Sequence, residues 1–172
     1  HVHLFINPRS FDISTFMRHL NTAYVTYFNK KYERHGHLFQ GRFASFIVDN
    51  DTYCLTLSAY IHNNSKDIPD FRDREEDYKY SSFGVYTGKR EDTTGILDIK
   101  FVLDFFSNNL EVARQKYKLF AASMKDTGII KEVDENIMKA YTENVYRDEK
   151  KPIWRNRIPE ELLAEMSKLL GE

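Results

Sequence analysis

His1-Val2-His3-Leu4-Phe5-Ile6 is the stretch on which the fold reading turns. Its apolar and branched residues predict a β-strand, broken by Asn7-Pro8-Arg9-Ser10. Side chains alternate along a strand, so His1 and His3 share one face while Val2 points the other way, into a core. Two neighbouring imidazoles suit one metal ion, because neutral imidazole is the commonest protein metal ligand. The same two residues also fit an ordinary surface strand.

Beyond this strand, Asp12 or Ser14 is placed to cap a helix. Ile13, Phe16, Met17, Leu20, Ala23, Tyr24, Tyr27 and Phe28 follow at spacings of three and four, the mark of one apolar helix face running to about Tyr32. On that pattern Tyr24, Tyr27 and Phe28 are expected in a core rather than stacked on bases. The other face carries Arg18, Asn21, Thr22, Lys30 and Lys31. Phe43 to Val48, aromatic and β-branched, predicts a second strand. Asn50 or Asp51 then caps a helix over about 52–63. Pro69 and the charged run Asp70 to Asp77 read as a solvated loop. After Gly95, one helix is expected around Leu97 to Phe106 and another around Val112 to Met124, with the aromatic stripe from Phe101 to Phe120 as their packing core. Pro159 opens a last helix to Leu170. A soft boundary falls at about residue 90, dividing 1–90 from a helical region, 91–172.

The 172 residues suffice for one domain with a helical appendage, and 41% hydrophobic residues allow a real core. Seven Gly and four Pro argue against a disordered chain. Cys54 is the only cysteine, which excludes an internal disulfide and a cysteine-based zinc site and fits a reducing cytosol. No apolar stretch approaches the roughly 18 residues of a membrane span, and no signal peptide is visible. The net charge of −1 does not advertise nucleic-acid binding globally. Residues 1–50 are more basic, with Arg9, Arg18, Lys30, Lys31, Arg34 and Arg42 against Asp12, Glu33 and Asp49.

Within the helix at 52–63, Tyr60 is followed four residues later by Asn64, so the two share a helix face. An amide oxygen is a fair ligand for Mg²⁺ or Mn²⁺. Two imidazoles, one amide oxygen and open positions would make a catalytic metal site with a tyrosine nucleophile beside it. Spacing alone leaves the alternative open that Tyr60 is a packing residue.

Four segments carry a more specific signal. Gly36-His37-Leu38-Phe39-Gln40-Gly41-Arg42-Phe43 resembles the GHLFQGRF signature of the REP-associated tyrosine transposases, which belong to the single-tyrosine HUH superfamily. His1-Val2-His3 matches its histidine-hydrophobic-histidine element. Ser58 to Asn64 resembles its RYIHLNP helix, and Asp77 to Phe83 its YPWSSY segment. Order and spacing agree over residues 1–88.

The resemblance implies an α+β, ferredoxin-like domain whose first strand, helix and second strand precede the histidine strand, so that the expected sheet lacks its N-terminal part here. It implies an enzyme that cuts single-stranded DNA beside a hairpin through a 5′-phosphotyrosine. Tyr60 is then the nucleophile, and His1, His3 and Asn64 ligate a divalent metal, Mg²⁺ or Mn²⁺. Arg42 and Gln40 become candidate DNA contacts. The face with Arg18, Lys30 and Lys31, otherwise merely solvated, becomes a candidate for phosphate contacts. His62 lies two residues from Tyr60 and is read as structural. The expected setting is cytoplasmic and homodimeric, without a membrane. Asn63 and Ser65 stand where the family usually has Leu and Pro; this motivates the alternative of a domesticated derivative that binds hairpins without cleaving them. A water-using metal phosphodiesterase, in which Tyr60 would be dispensable, is a further alternative.

Overall fold

The computed structural model describes residues 2–8 and 12–125. These fall into two compact units, one up to Ser45 and one from Phe46 onward.

The first unit is built on α1 (Ile13–Lys31). Asp12 caps it: its carboxylate accepts the Thr15 backbone N–H at 2.9 Å and the Thr15 hydroxyl at 3.2 Å. Those donors hold the Asp12 carboxyl below the usual carboxylate range. Lys30 and Lys31 sit in the last turn, where the helix dipole favours cations. Beyond it Glu33 takes a left-handed conformation (φ 51°), and the Asn29 side-chain amide donates to the Gly36 carbonyl at 3.1 Å. Gly36 has φ 96°, a conformation that only glycine adopts without strain. No described side chain of this unit is buried.

The second unit holds the core. α2 (Asp51–Asn63) is capped by Asn50, whose side-chain oxygen accepts the Tyr53 N–H at 2.8 Å. Three 3₁₀ turns follow, at Asn64–Asp67, Pro69–Phe71 and Glu75–Asp77. Then come the short helices α3 (Phe83–Tyr86) and α4 (Lys100–Leu103), and finally α5 (Leu110–Met124). α5 starts where Asn109 accepts the Glu111 and Val112 N–H groups. Its Ala113, Tyr117, Phe120, Ala121 and Met124 recur at helical spacing and are all buried. They pack against Cys54, Leu55, Ala59 and Tyr60 of α2, Phe83 and Tyr86 of α3, and Val102, Leu103 and Phe106. The ends of α2 and α5 are tied further by polar contacts. Asn63 donates to the Ala121 carbonyl at 2.7 Å, and Lys66 to the Lys125 carbonyl at 2.6 Å.

The expected α+β, ferredoxin-like architecture is overturned: the described residues contain helices and no strand. Residues 2–6 and 43–48 have strand-like composition, but a strand exists only where a neighbour accepts and donates its ladder hydrogen bonds. Neither segment is a strand among the described residues. A helix satisfies its backbone internally, so the helical periodicities at 13–31, 51–63 and 110–124 survive without such a partner. The helix expected around Leu97 to Phe106 shrinks to α4. The one expected at 160–170 lies outside the described residues.

The acidic run read as a solvated loop is instead strapped to α5 and its end. Lys125 pairs with Glu75 at 2.6 Å and Asp73 at 2.8 Å, and Lys118 pairs with Glu76 at 3.0 Å. Lys89 reaches Glu76 at 3.3 Å as well. Gly84 permits the close approach of this run: a Cβ there would stand 2.5 Å from the Glu76 backbone carbonyl oxygen. Gly84→Ala is therefore expected to destabilise the unit by about 1–3 kcal/mol, the usual cost of overpacking, seen as a lower urea midpoint by circular dichroism. An unchanged midpoint would show that the two segments separate freely.

Candidate functional site

Tyr60 lies in the penultimate turn of α2 and is 3% exposed, within the core of the second unit. Asn64 follows the last helical residue. Its φ of −58° and ψ of −26° continue the helical course, so the four-residue spacing from Tyr60 still places both on one side of the backbone path. Asn64 is half-buried, and its Nδ2 is buried with no hydrogen-bond partner among the described residues. Its amide is thus not committed through that atom to holding the fold together.

His3 belongs to the first unit and is half-buried; His1 lies outside the described residues. Among the described residues no group of three or more His, Cys, Asp or Glu side chains is arranged to hold a metal. The expected ligands His3 and Asn64 belong to different units.

Arg18, Lys30, Lys31, Gln40 and Arg42 are all exposed residues of the first unit. The Lys31 ammonium sits 5.5 Å from the Tyr27 ring centre and 5.4 Å from that of Tyr32. The Tyr27 hydroxyl beside it raises the Lys31 pKa. Tyr24 and Tyr27, expected in a core, are 48% and 56% exposed. The periodicity located one face of the helix, but that face has no covering element among the described residues.

His62 is the polar centre of the second unit. Its Nδ1 lies 2.6 Å from the Tyr117 hydroxyl, which is also 2.6 Å from the Ser58 hydroxyl, and its Nε2 lies 2.9 Å from the Ser82 hydroxyl. The ring stacks on Phe83 and meets Tyr86 and Tyr117 edgewise. Burial lowers the His62 pKa to about 3, so the ring is neutral at ordinary pH. The structural reading of His62 matches this placement. Nothing in the sequence pattern names Tyr117 as its partner, 55 residues away. Burial also raises the Cys54 thiol to about 11, which makes it a packing group rather than a nucleophile.

Residues 1–64 match the family described as Transposase IS200 like. The chain is transposase-like over that stretch, and a transposase-like function is what the match supports in general. The matched segment runs through His3, the Gly36–Phe43 signature and Tyr60, and it ends at Asn64. It covers 64 of the 172 residues, so α3, α4 and α5 lie beyond it. Neither a curated protein nor a solved structure matches the chain. No helix among the described residues is long and apolar enough to cross a membrane.

Proposed function

We propose that this transposase-like chain is a metal-dependent strand transferase acting on single-stranded DNA beside a hairpin, with Tyr60 as nucleophile. The observation that carries the reading is the family match, whose span takes in both histidines, the Gly36–Phe43 signature, Tyr60 and Asn64.

In this reading the Tyr60 oxygen attacks a backbone phosphorus. A new bond to phosphorus forms, the bond to the 3′ oxygen breaks, and the 5′ end stays on the enzyme as a phosphotyrosine. The phenol proton passes to solvent, and the departing 3′ oxygen takes up a proton as a hydroxyl. A 3′ hydroxyl then attacks the phosphotyrosine and restores Tyr60. One phosphodiester-type bond is exchanged for another, so no nucleotide cofactor is needed. His1, His3 and Asn64 would hold Mg²⁺ or Mn²⁺, which when bound offsets charge on the non-bridging phosphate oxygens. Arg18, Lys30, Lys31, Gln40 and Arg42 would hold the nucleic acid through phosphate and base-edge contacts.

One observation favours a second reading, a derivative that binds hairpins without cutting them: Tyr60 is 3% exposed. A labelled hairpin oligonucleotide incubated with the protein and Mn²⁺ separates the two. A protein–DNA adduct that survives denaturing electrophoresis supports cutting. Retarded migration on a native gel, with no adduct at any Mn²⁺ concentration, overturns cutting and leaves binding.

A further inference from the structure

The open aromatic face of α1 has no role in the strand-transfer steps. Tyr24, Tyr27 and Tyr32 are 48%, 56% and 54% exposed, and Phe39 is 40% exposed. The rings form a connected series. Tyr24 lies 6.2 Å from Phe39 and 6.1 Å from Phe28, and Phe28 lies 4.5 Å from Tyr32. Cations are set among them: Lys31 between Tyr27 and Tyr32, and Arg34 5.7 Å from the Phe28 ring centre.

Two features say what covers this face. The first is charge. Residues 12–45 carry Arg18, Lys30, Lys31, Arg34 and Arg42 against Asp12 and Glu33. None of Arg18, Lys30, Lys31 or Arg34 has an ion-pair partner among the described residues, whereas the ion pairs present there join residues 73–125. An apolar protein partner would leave these cations to be desolvated without compensation. The second is the mixture itself. Flat rings interleaved with cations that lack a carboxylate partner among the described residues give stacking surfaces and phosphate partners together, the requirement of unpaired nucleic acid. The stretch from Tyr24 to Lys31 spans about 10 Å at about 1.5 Å per residue. One strand advances about 3.4 Å per stacked nucleotide, so two or three bases fit.

We infer that the Tyr24–Tyr27–Tyr32 face of α1 is a stacking platform for unpaired bases flanking the DNA hairpin, with Lys30, Lys31 and Arg34 on the phosphates. This rests on the DNA-binding part of the function proposed above, not on cleavage.

The test uses a hairpin oligonucleotide with an unpaired flank carrying one 2-aminopurine, and the same hairpin without the flank. Wild type should quench the 2-aminopurine on binding. Tyr24→Ala/Tyr27→Ala should lose the quenching and weaken binding of the flanked DNA by about tenfold per ring removed, with little change for the blunt hairpin. Tyr24→Phe/Tyr27→Phe keeps both rings and should retain the quenching. Lys30→Gln/Lys31→Gln should reduce the slope of log affinity against log salt by about 0.7 per lysine. Equal quenching by wild type and the double alanine variant overturns the inference. So does an alanine variant that turns a dimer into a monomer in sedimentation while quenching persists, because the face is then a protein interface. Wild type that quenches but forms no adduct keeps this inference and removes cleavage. An adduct without ring-dependent quenching does the reverse.

Discussion

With Tyr60 replaced by phenylalanine, no covalent DNA adduct should form at any metal concentration, a complete loss against wild type. Phenylalanine keeps the ring that packs with Cys54, Leu55 and Ala59 in the core and removes only the oxygen that would bond to phosphorus. Circular dichroism of the variant separates loss of the nucleophile from loss of the fold. Burial adds a second expectation. A phenol 3% exposed must come out of its packing before it reaches a phosphate. The fraction of molecules with Tyr60 accessible then scales the observed rate. Adduct formation should accordingly be slow and should quicken in mild urea, well below the unfolding midpoint. Persistence of the adduct in Tyr60→Phe would assign the nucleophile elsewhere.

Acid should weaken the second unit well before its carboxylates protonate. The folded pKa of His62 is lowered by burial to about 3, from an ordinary 6.5. Above pH 6.5 the ring is neutral in both folded and unfolded chains and contributes no pH dependence. Between about 6.5 and 3 the unfolded chain binds a proton that the folded one refuses, so stability falls as pH falls, then levels off. At 1.36 kcal/mol per unit, that is about 2 kcal/mol by pH 5 and on the order of 4 kcal/mol by pH 3. Urea midpoints measured from pH 7.5 to 4.5 should show the slope, and His62→Gln should flatten it. A flat wild-type profile would mean that His62 takes a proton in place. The surface carboxylates act lower down. Lys125 holds Asp73, and Lys89 holds Asp77, below the ordinary 3.8, so their contribution is present above that value and is lost only beneath it.

How far the sequence disclosed this molecule depends on where each element finds its hydrogen-bond partners. α1, α2 and α5 were legible because a helix closes its own backbone bonds and advertises its apolar side at spacings of three and four. The segments 2–6 and 43–48 were misread because β-propensity reports a side-chain preference, while a strand needs a partner that composition does not name. Tyr24 and Tyr27 show the complementary error. Apolar spacing tells which residues share a face, not whether anything covers it. Glu75 looks like solvent-facing charge in sequence, yet it is buried and paired with Lys125, fifty residues on; Asp73, which Lys125 also reaches, stays exposed as the sequence suggests. At the candidate site, Tyr60 and Asn64 were related by local spacing alone; Tyr60 lies in α2 and Asn64 just past its end. The hydroxyl partners of His62 come from α5 and the start of α3, so no local pattern names them.

All the described side chains that are shielded from water lie beyond residue 50. The matched signature and its basic helix therefore carry little tertiary reinforcement among the described residues, and a helix of 19 residues on its own is only marginally persistent in water. Such a segment yields part of its contact energy to becoming ordered whenever it engages something. That lowers the affinity obtained per unit of surface covered and keeps dwell times short. Under the strand-transfer function proposed above this would be useful, since two DNA ends must be held in turn and then let go.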